Sequence, residues 1–152
     1  SDYLLTTYNQ QYNSIMAIGS GMLTGKGLDN NTITSVKGGN FISEPQTDFI
    51  FAVVGEELGF IGSCVVIGLI LLIVIECLRI AKDARDMRGH LVASGVAGII
   101  TFQAFVNIGV ATGILPNTGL PLPFVSYGLS SLLSNFICIG LVLNVGLQRN
   151  RR

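Results

Sequence analysis

The sequence predicts an all-α polytopic membrane protein, with three transmembrane helices and a large extracytoplasmic loop that carries a short interfacial helix. Three observations predict it. Hydrophobic residues make up 49% of the chain and charged residues 12%, and the mean hydropathy of +0.61 is unusual for a soluble domain of 152 residues. Stretches at about 58–78, 91–115 and 130–147 stay apolar long enough to cross a bilayer, which takes roughly 20 residues. Arg79, Lys82, Arg85 and Arg88 lie between the first two stretches, and Arg149, Arg151 and Arg152 follow the third. The positive-inside rule therefore puts that connector and the C-terminus in the cytoplasm.

In order, the predicted elements are an extracytoplasmic loop at 1–47, a transmembrane helix at 48–81, a cytoplasmic connector at 82–90 and a transmembrane helix at 91–115. An extracytoplasmic or re-entrant loop at 116–129, a transmembrane helix at 130–147 and a cytoplasmic tail at 148–152 complete the chain. The chain opens at Ser1-Asp-Tyr with no initiator methionine or targeting segment, and three spans offer little room to bury their polar groups. It reads as the C-terminal part of a larger polytopic protein.

Within the first loop, residues 1–14 are polar and rich in Tyr, Asn and Gln, and 12–22 form a short interfacial helix. Gly19-Ser-Gly-Met-Leu-Thr-Gly-Lys-Gly27 follows. It is not a nucleotide P-loop, because Ser20 stands where the first glycine is required and Gly27 follows Lys26 in place of Ser or Thr. Two readings remain: a flexible turn, or a backbone nest whose N–H groups hold an extracytoplasmic phosphate. Residues 28–40, rich in Asn, Thr and Gly, read as exposed loop.

Phe41-Ile-Ser-Glu-Pro-Gln-Thr-Asp-Phe-Ile-Phe51 leads into the first span. Thr47 is the expected N-cap, and an acid in the first turn complements the helix dipole, so capping alone accounts for Asp48. A carboxylate at the mouth of a span is, however, costly to desolvate unless paired or used. At about 100° per residue, Asp48, Ala52, Gly55, Gly59 and Gly62 share one stripe, and Gly55 with Gly59 makes the small-xxx-small pair of close helix packing. Glu56 lies about 80° away and Glu57 opposite, so they are expected to have separate partners. A continuous helix over 49–78 would extend about 45 Å, beyond a hydrocarbon core of about 30 Å. Either it protrudes, or Asp48 and Glu56 sit in a water-filled cavity of the outer leaflet.

In the second span Gln103 and Asn107 share a face and read as interhelical hydrogen-bonding glue. The connector after it holds Pro116, Pro121 and Pro123 yet remains apolar. Such backbone must be packed in protein or line a cavity, since it would lack partners in lipid. It serves either as structure or as substrate contact, and in the second case Pro116, Thr118, Ser126 and Ser130 are the contact residues. His90, the single histidine, reads as a wet interfacial residue, and Cys64, Cys77 and Cys138 as small packing residues. The formal net charge is zero and no basic, aromatic-laced patch points to nucleic acid.

Gly25-Lys-Gly27, Glu44-Pro-Gln-Thr-Asp-Phe-Ile-Phe-Ala-Val-Val-Gly-Glu-Glu-Leu-Gly59 and Gly113-Ile-Leu-Pro-Asn-Thr-Gly-Leu-Pro-Leu-Pro-Phe-Val-Ser-Tyr-Gly-Leu-Ser-Ser131 resemble the RodA/FtsW/SpoVE (SEDS) family, with a lean toward its RodA branch. The match covers essentially the whole chain, and Leu129 departs from it where many members carry a second glycine. The resemblance implies the last external loop and final three of ten spans, in a multi-pass protein of the bacterial cytoplasmic (inner) membrane. It further implies a peptidoglycan glycosyltransferase that polymerises lipid II, an undecaprenyl-diphosphate-linked substrate, beside a class B penicillin-binding protein. The family's essential loop aspartate maps onto Asp48, expected to be the general base for a sugar hydroxyl or to hold a divalent cation, Mg or Mn, on the diphosphate. Lys26 is the expected counter-charge for that diphosphate, with Glu44 and Glu57 as supporting substrate contacts. A lipid II transporter and a non-catalytic scaffold for the penicillin-binding protein are the alternatives, and the chain by itself is expected to be inactive.

Overall fold

The computed structural model describes residues 2–27 and 48–148. Regular structure in them is helical: α1 (Asp2–Ser20), α2 (Ile50–Lys82), α3 (Met87–Ala111) and α4 (Leu129–Leu147). The last three are long and apolar enough to cross a membrane, which makes this an all-α membrane protein. α2 packs along α3, α4 closes against both, and α1 lies across their Asp48 ends. One apolar cluster, around Ile70, Val74, Cys77, Ala93, Ala97 and Ile100, runs between the spans. A second, of Ala17, Phe49, Ala52, Val53, Val106 and Val110, joins α1 to α2 and α3.

α1 starts ten residues before the helix expected from position 12, and its pattern explains why. Its packed face is made of small residues, with Ser14, Ala17 and Gly21 buried, whereas Leu4, Leu5, Tyr8, Tyr12, Ile15 and Met16 are exposed. This reverses the order of a soluble amphipathic helix, because in lipid the small residues allow close approach and the large ones face outward. Ser14 Oγ donates to the Ala111 carbonyl at 2.7 Å and Gln11 Nε2 to Leu115 at 2.7 Å, fixing α1 to the end of α3.

The continuous helix expected from position 48 is not observed. α2 begins at Ile50, after a turn at Asp48 and Phe49, with no side-chain cap; Thr47, the expected cap, lies outside the described residues. More consequentially, α2 is broken at Gly59, whose φ of 68° and ψ of −164° are open only to glycine. The single stripe through Gly59 and Gly62 therefore does not exist, and the excess length is resolved by the break.

The glycine-rich segment repairs the broken ladder. An unbroken helix would bond the amides of Phe60 and Ile61 to the carbonyls of Glu56 and Glu57. Here Phe60 N–H donates to Met22 O at 2.8 Å and Ile61 N–H to Leu23 O at 3.3 Å, while Lys26 N–H donates to Glu56 O at 2.9 Å and Gly27 N–H to Glu57 O at 3.1 Å. All four backbone groups freed by the break thus find partners, as a membrane-embedded interruption requires. The approach is too close for side chains: a Cβ on Gly59 would lie 2.4 Å from Gly25 N, and one on Gly25 2.5 Å from the Glu57 carbonyl carbon. Gly55, the other half of the small-residue pair, packs on Ile18 of α1.

α3 begins at Met87, four residues before the expected start, because the extended Asp86 lets helix begin while Arg88 and His90 still sit in its first turn. It ends at Ala111 instead of 115; Gly113, at φ 77°, reverses the chain, and the amides of Ile114 and Leu115 fold back on Gly109 O. Exposed His90 bonds the Ala81 carbonyl at 2.8 Å through Nδ1, tying α3 to the end of α2. Of the cysteines, Cys77 is core, Cys138 half-buried and Cys64 exposed, so only the first two pack as expected.

Candidate functional site

The connector between α3 and α4 wraps the Asp48 end of α2. It leaves α3 at Thr112, and Asn117 Oδ1 accepts from Gly119 N–H at 3.2 Å to make a tight polar turn. Leu122 and Pro123 are fully buried, and Leu122 N–H donates to Ser126 Oγ at 2.7 Å. The connector is packed in protein at Leu122 and Pro123 and lines a cavity from Phe124 to Leu129. Phe124 adopts φ 63°, a conformation costly by about 1–3 kcal/mol outside glycine. Its ring meets Phe136 of α4 edge-on at 5.9 Å between centroids.

Between this segment and α2 lies a cleft of about 790 Å³. Ile50, Val53, Phe124, Val125 and Leu132 give it apolar walls, while Glu57, Ser126 and Tyr127 bring polar groups to it. Asp48 lies at the same end of α2 but does not line the cleft. It is half-buried beside the connector's first turn, where a Cβ on Gly119 would be 3.9 Å from Asp48 Oδ2. Its backbone carbonyl accepts from Asn107 Nδ2 at 3.1 Å.

Of the residues expected from the sequence, Glu57 and Ser126 thus share the cleft, with Asp48 on the adjoining side of the helix end. Pro116 and Thr118 are exposed on the connector and Ser130 is exposed in the first turn of α4, none of them lining the cleft. Glu44 lies outside the described residues. Lys26 Nζ sits 3.2 Å from Glu56 Oε1, so its charge faces a carboxylate that is 2% exposed. A buried carboxylate requires such a partner. The phosphate-nest reading of the glycine segment is corrected, since the amides of Gly25, Lys26 and Gly27 are bonded to Gly21, Glu56 and Glu57 carbonyls.

Reading the sequence also undervalued Asn107. It is 1% exposed, and besides Asp48 its Nδ2 donates to Leu120 O at 2.7 Å, so it ties α3 to α2 and to the connector. The signal was available, because a carboxamide in an apolar span is expensive without a purpose. Gln103, its expected companion, is half-buried with Oε1 lacking a partner among the described residues. The Phe124 backbone outlier carried no signal at all. Among the described residues no three His, Cys, Asp or Glu side chains converge to hold a metal.

Comparison with known proteins places this geometry in context. The FtsW/RodA/SpoVE family model, described as cell cycle protein, matches residues 4–151. The chain is 44% identical over 132 residues to the probable peptidoglycan glycosyltransferase FtsW of Geobacter metallireducens, covering 87% of the chain and 34% of that protein. It is equally 44% identical to stage V sporulation protein E of Bacillus subtilis, covering 87% of the chain and 35% of that protein. A chain in a solved structure concerned with coordination of polymerization and crosslinking by a peptidoglycan synthase complex is similar at TM-score 0.72 and 32% identity, over 93% of this chain and 38% of that one. The chain thus spans about a third of the length of these curated relatives, whose FtsW and sporulation names do not support the lean toward the RodA branch.

Proposed function

The chain belongs to the FtsW/RodA/SpoVE family, and from that membership we propose that its full-length parent is a peptidoglycan glycosyltransferase that polymerises lipid II into glycan strands. The observation that carries the reading is the wrapping of the connector around the end of α2, with Asp48 beside Gly119 and the apolar-walled cleft alongside at Glu57 and Ser126. A lipid-linked sugar needs both surroundings, an apolar wall for its chain and polar groups for its head. In the reaction the acceptor sugar's 4-hydroxyl oxygen bonds to the donor's anomeric carbon, and the bond from that carbon to the diphosphate oxygen breaks. The electron pair leaves with the polyprenyl diphosphate, a stable anion that needs no general acid. A glycosidase, by contrast, uses a carboxylate pair. What remains is the hydroxyl proton, and Asp48 takes it as general base.

Glu57 and Ser126 contact the sugar head in the cleft. Lys26, Pro116, Thr118 and Ser130 are given no part in it. In the alternative role for the same carboxylate, Asp48 would hold a divalent cation, Mg or Mn, which would supply positive charge to the diphosphate. The site faces outward across the bacterial cytoplasmic membrane, the C-terminus is cytoplasmic, and a class B penicillin-binding protein is the partner; the likeness to a synthase-complex chain supports the last point. The test is lipid II polymerisation by the full-length parent, reconstituted with that partner. Asp48→Asn should lower the rate by about 10²–10⁴-fold, the span of a lost general base, with expression and melting unchanged. Wild-type rates from the variant would remove Asp48 from the chemistry, and transbilayer movement without polymer from either protein would favour a transporter.

A further inference from the structure

We propose that Asn107 is the positioning residue for the Asp48 carboxylate, an inference that rests on the reading of Asp48 as the base. In the first turn of α2 the amides of Ala52 and Val53 both donate to Phe49 O, at 3.0 and 3.4 Å, and the carbonyl just before it belongs to Asp48. Asn107 Nδ2 takes up that carbonyl at 3.1 Å and spends its other hydrogen on Leu120 O at 2.7 Å. Leu120 follows Gly119, the residue beside Asp48 Oδ2. One side-chain amide on a rigid span therefore fastens the backbone on both sides of the carboxylate.

The orientation of that amide is unambiguous. Turning it over would set Oδ1 against two carbonyl oxygens, so Nδ2 must face them. Oδ1 is then left buried with no partner among the described residues. An amide retained at 1% exposure with its acceptor unsatisfied serves the two bonds it donates. Simple interhelical glue would join one helix to another. Asn107 instead joins a helix to two irregular segments, and both border the same carboxylate.

The experiment uses the full-length parent with its penicillin-binding partner in liposomes, and compares wild type, Asp48→Asn, Asn107→Leu and Asn107→Ser. Leucine keeps the branched outline of asparagine, is bulkier and removes both donors, whereas serine is smaller and keeps one. For Asn107→Leu, kcat should fall at least about tenfold, since sub-ångström misplacement of a reacting group is costly. KM for lipid II should stay within about twofold of wild type, because the group lost acts only in the transition state. Serine should recover part of kcat at a melting temperature equal to that of the leucine variant, which relief of crowding would not give. Deuterium exchange should rise at 49–53 and 118–122 and nowhere else. Should Asn107→Leu fail to fold, the serine variant and its exchange pattern carry the test alone. A wild-type kcat in both Asn107 variants, or a loss that follows melting temperature or KM, overturns the positioning role while Asp48→Asn remains inactive. Full activity in Asp48→Asn overturns the reading of the site itself.

Discussion

Glu56 constrains its surroundings through burial. Only 2% of its surface is exposed, and Lys26 reaches it at 3.2 Å from a segment 30 positions earlier, so removing the lysine takes a counter-charge from a buried carboxylate. Breaking a buried pair by removing one member typically costs about 3–5 kcal/mol. Lys26 is 28% exposed, so water shares the task, and Lys26→Met is expected to cost on the order of 1–3 kcal/mol. Adding Glu56→Gln should restore most of it, because the stranded charge is then gone. Thermal unfolding of both proteins in detergent checks this; a double variant no better than the single one would show that the pair serves only as packing. At this scale the sequence was partly legible. Asp48 stood out because a carboxylate at a span mouth is expensive, and the same logic applies to Glu56 and Asn107. Their partners were not legible, since Lys26 and Glu56 meet only through the fold of a loop.

α2 is where element and sequence part most instructively. Thirty-three residues of apolar helix predict a rod, and the rod is cut at Gly59. Gly55 and Gly59 read as a packing pair, yet they accept α1 and the glycine-rich segment in place of another span. Four backbone bonds replace the two that the break removes, which is why a positive φ is tolerated inside an apolar helix. Gly59→Ala is expected to cost roughly 3 kcal/mol or more, from the strained φ and from a methyl 2.4 Å from Gly25 N. Gly68→Ala, on the same element with nothing within 4 Å of the added methyl, should be neutral or gain up to about 1 kcal/mol. Melting curves of the two variants side by side decide it: equal stability would mean that α2 closes into a rod without loss. No local pattern distinguishes these glycines, because what breaks α2 is a segment more than thirty positions away.

At the scale of the whole molecule the three spans were legible from apolar length alone, because the bilayer fixes that length. α1 was legible only from position 12 onward, since its packed face is small and polar and its large residues point out. The proposed orientation of the bundle rests on its basic residues. Arg85 and Asp86 join α2 to α3, with Arg88 in the first turn of α3, and Thr118 lies on the connector between the other end of α3 and α4. A helix running through the bilayer puts these two connectors on opposite sides, and the positive-inside rule makes the arginine side cytoplasmic. In the full-length protein with its native cysteines replaced, Arg85→Cys should react with a membrane-impermeant maleimide only after the cytoplasmic face is opened. Thr118→Cys should react in intact cells. The reverse pattern would put Asp48 and the cleft on the cytoplasmic side, away from the compartment where glycan strands are assembled, and would remove the proposed chemistry whatever the behaviour of Asp48→Asn.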